Sequence, residues 1–386
     1  MERMKTGAAW VMLLLVALTE ANVPTGLDLK LLKALTSSLN KNQAVAPFVI
    51  SSLMTQVWLG ARGDTRNEMT PVLGIETSKG YCFLKGYMHA VEELSSGISN
   101  VTTGVFNRIY LRDNFNVKSR FKLLLRQFYS ADVKKFSSAT LAANEINADV
   151  AKVTRKRIQK LVQASALQNA ALVLVSALYF KGLWLTPFDK TVKEPFLTAS
   201  GDKQVDMMKL ETRVPYVKMS SFDAIALPYT DKNYVMLILR PLTRNMAAVS
   251  RLRDDLDTLD VADIMERLRS SSVQISMPRF KMRASYGLVG TMSQLGIRKV
   301  FTRQADLGNI ADKPLVVDSI IHKVFIEVTE KGTEAAGAAA VVVGITSLPP
   351  PPIQFTADRP FFAMVWNKKH RINMFSIFMT SPQTFG

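Results

Sequence analysis

Cysteine is almost missing from this chain: its 386 residues include one, Cys82. No internal bridge can form, so the fold must rest on the size of its core. Within "GYCFL" Cys82 reads as a small buried hydrophobe. Histidine is scarce as well. His89, His322 and His370 are the full set, and none belongs to a paired-ligand pattern such as HExxH, so no metal site is expected. GxSxG elbows, CxxC pairs, GxxxxGK[ST] loops and Gly-rich phosphate cradles are absent too, which leaves no cofactor and no enzyme class in view. A triad built from distant residues would leave no such trace, because geometry defines it. Beyond the N-terminus no apolar run approaches the roughly 18 residues of a membrane span.

What is present suits one large globular domain. Hydrophobic residues make up 48% of the chain, enough to fill a sizeable core. At the N-terminus, Arg3 and Lys5 precede an apolar run from Ala8 to Leu18 that ends on small residues near Ala21. This order describes a secretory signal peptide over residues 1–21, leaving a secreted domain over 22–386. Asn100-Val-Thr is a glycosylation sequon consistent with that route. The 49 Lys and Arg against 32 Asp and Glu give a charge of +17, which favours acidic surfaces such as sulfated glycans. The densest groups, "TRKRIQK" (154–160) and "KSRFKLLLR" (118–126), also read as solvated helix faces. Neither interleaves aromatics for base stacking, so nucleic acid is not an expected partner.

Helical spacing marks Leu27–Leu39, "YMHAVEEL" and "FKLLLRQFY", whereas "TGVFNRIYLR" alternates as a strand does. "ALVLVSALYFKG" (171–182) is nearly all apolar and reads as a strand buried on both faces. The second half is dominated by strands: "YVMLILRPL", "VQISMPRFKM", "KVFIEV", "FFAMVW" and "INMFSIFM". Helices and strands are segregated more than alternated, which predicts an α+β class.

One stretch is unlike the rest. "EKGTEAAGAAAVVVGITSLPPPP" (330–352) holds almost nothing that could anchor a core. Its Ala and Glu favour helix and its Val341–Val343 favour strand, so it is committed to neither. As a strand, it would place Glu334 on one face and only small or apolar residues, with Thr333, on the other. No proline interrupts 332–348, so every amide there could join a ladder, and the prolines from Pro349 fix an extended tether beyond it. Standing alone, the stretch reads equally as a low-complexity linker.

"KVFIEVTEKGTEAAGAAAV" resembles the hinge of the serpin family, and "FVISSL", "LGARGDT", "VLVSALYFKGLWLTPFD", "MPRFKM…YGLVGTMSQLGI", "ADLGNI" and "FTADRPFFAMV" agree with it in order. The resemblance runs from about Leu27 to Pro382. It implies a monomer with three β-sheets, eight or nine helices and an exposed reactive loop at about 330–352. The loop would serve as bait for a serine proteinase, form an acyl-enzyme and then insert as a new central strand, carrying the proteinase along. By position, Gly332 and Thr333 form the hinge, Glu334 stays outward, and Ala335, Ala336, Gly337 and Ala338 lead the insertion. Glu330 would pair with Arg279, with Trp184 beneath the point of entry and His322 on the adjoining strand. The usual loop length places the scissile bond at Thr346–Ser347. A small uncharged Thr346 after Ile345 suits a shallow apolar pocket, so the expected target is elastase-like. The resemblance also admits a non-inhibitory carrier, chaperone or storage protein.

Three departures from the family pattern stand out. Between "FVISS" and "LGARGDT" the chain reads as about five residues short, with Ser51-Ser52 in place of the usual Ser-Pro. Ser176 replaces a common asparagine, leaving open whether a hydrogen bond latches the sheet near His322. Ile377 stands where glycine is typical.

Overall fold

The computed structural model describes residues 23–96, 101–332 and 351–382. The apolar run at 172–180 is strand β4 (Leu172–Lys181), buried along its whole length except at Lys181. Its side chains serve two cores in alternation. Leu172, Leu174, Leu178 and Phe180 enter the main core, whereas Val173, Val175, Ala177 and Tyr179 enter a second, smaller one. A strand so used must lie inside a sheet covered on both faces.

That sheet has five strands in the order β10 (Phe280–Gly287), β11 (Val317–Val328), β4, β2 (Thr102–Arg112) and β3 (Val133–Phe136). At its centre β4 and β11 run parallel and are hydrogen-bonded neighbours from Leu172 and Val317 up to Tyr179 and Phe325. Its outer face carries helix α6 (Ala139–Val153), which packs Ala142, Ala143, Ile146 and Val150 onto the second core.

The inner face covers a helix with no exposed side. All fourteen residues of α2 (Pro47–Gly60) are buried. This helix begins on Pro47, a position that tolerates proline because the first turn needs no donor there. The deficit read from the sequence is thereby corrected. The residue pair that begins the helix is Ala46-Pro47, five positions ahead of Ser51-Ser52, and the helix runs for about four turns.

The other strands form a single nine-stranded sheet, ordered β1 (Gln43–Val45), β14 (Ile372–Met379), β13 (Phe361–Asn367), β8 (Tyr234–Pro241), β7 (Phe222–Pro228), β6 (Gly201–Lys218), β9 (Arg269–Pro278) and β12 (Ile353–Thr356), with β5 (Lys190–Thr198) also on β6. Among the described residues there are thus two hydrogen-bonded sheets where three were expected. Strand β6 joins the halves: its 207–216 stretch pairs with β9 and its last residues pair with β7. "VQISMPRFKM" is likewise two strands, β9 and β10, which part at Arg279. Ile377 fits because its direct neighbours on both sides are alanines, Ala44 and Ala363.

Nine α-helices occur among the described residues; besides α2 and α6 they are α1 (Asp28–Leu35), α3 (Gly63–Leu73), α4 (Phe83–Ser96), α5 (Ser119–Tyr129), α7 (Met246–Asp255), α8 (Val261–Arg267) and α9 (Val289–Gln294). No helix among these residues is long and apolar enough to cross a membrane. Cys82 is exposed, contrary to the sequence reading. The apolar content of "GYCFL" is carried inward by Phe83 and Leu84, the first residues of α4, while Tyr81 and Cys82 stay outside in the preceding turn. "TRKRIQK" is a turn that follows α6 rather than a helix face.

Candidate functional site

The site is the seam between β4 and β11, together with the turn above it. Pairing of the two strands stops at Phe325 and Tyr179. The chain leaving β11 then reverses over Thr329–Gly332, where each of these two residues donates its N–H to the other's carbonyl at 3.1 Å. Gly332 has φ +92°, and a Cβ there would lie 2.4 Å from the Gly182 carbonyl oxygen, so the turn requires glycine.

Trp184 holds this turn from below. Its indole N–H donates to the Thr329 carbonyl at 3.0 Å, and its ring stacks on Tyr229 with centroids 4.5 Å apart. Phe188 N–H donates to the Glu330 carbonyl at 2.8 Å. The expected Arg279–Glu330 pair is present at 3.8 Å, but it is the looser of each partner's contacts. The Glu330 carboxylate accepts a short hydrogen bond from Thr191. Arg279 donates two guanidinium bonds to Asp206, at 2.8 and 3.1 Å. Lys193 is 2.7 Å from the other Asp206 oxygen; the hydrogen bond from Lys193, with Arg279 in support, holds this carboxyl below the usual range.

Lower down, the seam is latched from the inner face. Ser176 and His322 are cross-strand partners, both fully buried, with Oγ and Nδ1 2.8 Å apart. The Ala46 N–H donates to Nε2 at 3.1 Å, so Nε2 is the acceptor, Nδ1 carries the proton, and the ring donates to Ser176. Serine therefore supplies the hydrogen bond that the missing asparagine left open. Burial drives the His322 pKa down to about 3, which keeps the ring neutral. One imidazole thus ties β4, β11 and the start of α2 together. Ser51 lies inside α2 and bonds the Tyr87 hydroxyl of α4 at 2.7 Å, while Ser52 and the Val49 carbonyl accept from Asn107 of β2.

The far end of the 333–350 segment is anchored as well. Strand β12 resumes the chain at Ile353 and pairs parallel with β9. Arg240, paired with buried Asp223, donates to the Thr356 carbonyl at 3.1 Å. Thr333, Glu334, Ala335, Ala336, Gly337, Ala338, Thr346, Ser347, Asn100 and the leader 1–21 lie outside the described residues.

Thr191, Lys193, Asp206, Tyr229 and Asn107 were not singled out from the sequence. They belong to β2, β5, β6 and the turn after β7, and no local motif joins them to positions 329–332. Thr191, for instance, is 139 residues from Glu330.

A parallel central pair, a glycine-bound reversal directly above it and a small-residue segment leading away from that reversal form one arrangement. Residues 23–380 match the family described as Serpin (serine protease inhibitor). The chain belongs to the serpin family. Among the serpins it resembles, Iripin-2 of Ixodes ricinus is 33% identical across 95% of this chain and 96% of that protein. Intracellular coagulation inhibitor 1 of Tachypleus tridentatus is 30% identical over 87% of this chain and 83% of its own length. In solved structures, Manduca sexta serine protease inhibitor (serpin)-12 superimposes with a TM-score of 0.80 at 25% identity, and Serpin48 of Tenebrio molitor with 0.78 at 28%. Each comparison covers 94% of this serpin and 98% of the solved chain.

Proposed function

We propose that this serpin is a secreted inhibitor of an elastase-like serine proteinase that traps its target covalently by inserting the cleaved loop between β4 and β11. The observation that carries this reading is the direct parallel pairing of those two strands beneath the Thr329–Gly332 reversal. A strand descending from Gly332 runs antiparallel to β11, and since β4 parallels β11 it also runs antiparallel to β4. Insertion therefore replaces one parallel ladder, the weaker kind, with two antiparallel ones. At roughly 1 kcal/mol net per hydrogen bond, a new ladder of about a dozen bonds is worth on the order of 10 kcal/mol. A gain of that size would drive insertion, and trapping requires insertion to outpace hydrolysis of the ester.

The coagulation-inhibitor relative supports an inhibitory role. Secretion rests on the leader, with glycosylation expected at Asn100. Specificity rests on Thr346 at the scissile bond and on the lack of Arg or Lys between Lys331 and Arg359. The test is to incubate the purified protein with pancreatic or neutrophil elastase and look for a detergent-stable adduct of the summed mass, with a released peptide beginning at Ser347. Clipping without an adduct by proteinases of several specificities would favour a non-inhibitory serpin instead.

A further inference from the structure

Between strand β2 and the buried helix α2 the fold leaves a cavity of about 180 Å³. Its origin is the short length of β3. That strand pairs with β2 only over Ile109–Arg112, so from Val105 to Arg108 the edge of β2 away from β4 has no strand neighbour among the described residues. The walls are mainly apolar: Phe48 and Val49 of α2, Val91 and Leu94 of α4, Val105 of β2 and Val153 at the end of α6.

Two amide oxygens on these walls are left without partners. Gln56 of α2 is 1% exposed, and its Oε1 makes no hydrogen bond among the described residues. Asn107 of β2 is in the same condition for a visible reason. Its side-chain NH2 donates to the Val49 carbonyl at 3.1 Å and to the Ser52 Oγ at 3.2 Å. A carbonyl can only accept, so the end turned to α2 is the NH2 and the atom left over is Oδ1, buried and unpaired. Both residues line the cavity. Since a buried acceptor is costly to leave unmet, a molecule that brings a donor to these oxygens is favoured over one of the same shape that brings none.

The volume limits the size of that molecule. A cavity of about 150 Å³ in another protein admits benzene, so this one suits a single ring with a short polar substituent. Charge limits its chemistry. Among the described residues that line the cavity there is no Asp or Glu, and Arg108 is the one cation, so an ammonium would enter without a counter-ion. A carboxylate would bring acceptors to acceptors. We propose that this cavity is a binding site for a small neutral phenol, whose hydroxyl donates to Gln56 Oε1 or Asn107 Oδ1 while its ring lies against the valine and leucine walls. Water is the competing occupant, but walls this apolar offer it few partners. The site is independent of the loop and of the trapping reaction.

The test uses the full mature chain and three ligands of similar shape, phenol, toluene and benzylammonium, with affinities measured by ligand-observed NMR at pH 7. Phenol should bind about tenfold more tightly than toluene, and benzylammonium more weakly than either. Phenol no tighter than toluene would overturn the hydrogen-bonding assignment, benzylammonium as tight as phenol would overturn the neutral class, and no binding of phenol or toluene would leave the cavity to water and overturn the site. This series needs no variant. Two substitutions then place the ligand. Gln56→Met should bring phenol down towards the affinity of toluene while toluene is unchanged, and Val91→Phe, which narrows the cavity, should weaken both. Wild-type affinity for phenol in folded Val91→Phe would put the ligand elsewhere and overturn the proposal. Wild-type preference for phenol over toluene in Gln56→Met would remove Gln56 as the acceptor, and the same preference in Asn107→Leu as well would overturn the role of both oxygens.

Discussion

His322 shows how a single side chain can govern a sheet. Its folded-state pKa of about 3 lies below the value near 6.5 that it has when unfolded. Above pH 6.5 neither state binds the proton, so the residue has no pH effect there. As pH falls from 6.5 towards 3 the unfolded or opened state takes up a proton that the closed state refuses, and stability is lost. The melting temperature should therefore fall over this window, and His322→Gln should flatten that part of the profile. An unchanged slope in the variant would remove the latch from the account. Gly332 gives a second prediction. Gly332→Ala forces a Cβ against the Gly182 carbonyl at a left-handed backbone position, and should lower native stability by about 1–3 kcal/mol in thermal denaturation.

Among the elements, β4 was the most legible in the sequence, because an unbroken apolar run allows few structures, whereas the loop segment lies outside the described residues. Helix α2 was misread for a physical reason. Its N-cap residue, Ala46, has no capping side chain, and the N–H of that residue is satisfied by His322, 276 residues away. The informative mark was Pro47, while Ser51 and Ser52 are interior residues that bond neighbouring elements. The Asp206–Arg279–Lys193 cluster was invisible because β5, β6 and the β9–β10 junction meet only once the sheets have formed. Arg279 was expected to bond mainly Glu330, yet Asp206 receives its closer bonds. For the loop itself, Ala335→Arg should leave cleavage intact while abolishing the stable adduct, since an inward charge cannot enter the seam undesolvated. Adduct formation at the wild-type yield, read on the same gel, would show that this face does not turn inward.

At the scale of the molecule, a parallel ladder closes the β4–β11 seam, and on the proposed mechanism a cut loop would replace it with two antiparallel ones. Nicking near Thr346 should therefore raise resistance to heat, seen as an upward shift of the melting transition in calorimetry compared with uncut protein. If cut and uncut protein melt alike, the seam does not accept the strand. The nine-stranded sheet, with β6 pairing in both of its halves, and the anchored β12 would frame the proposed rearrangement.

On the proposed mechanism the seam between β4 and β11, closed here by direct pairing, would admit one segment, and that segment belongs to the same molecule. On that proposal each copy would act a single time: after closure around its own cut arm nothing would reset it, so the capacity to restrain a proteinase would be set by the number of molecules present and not by how fast any one of them works.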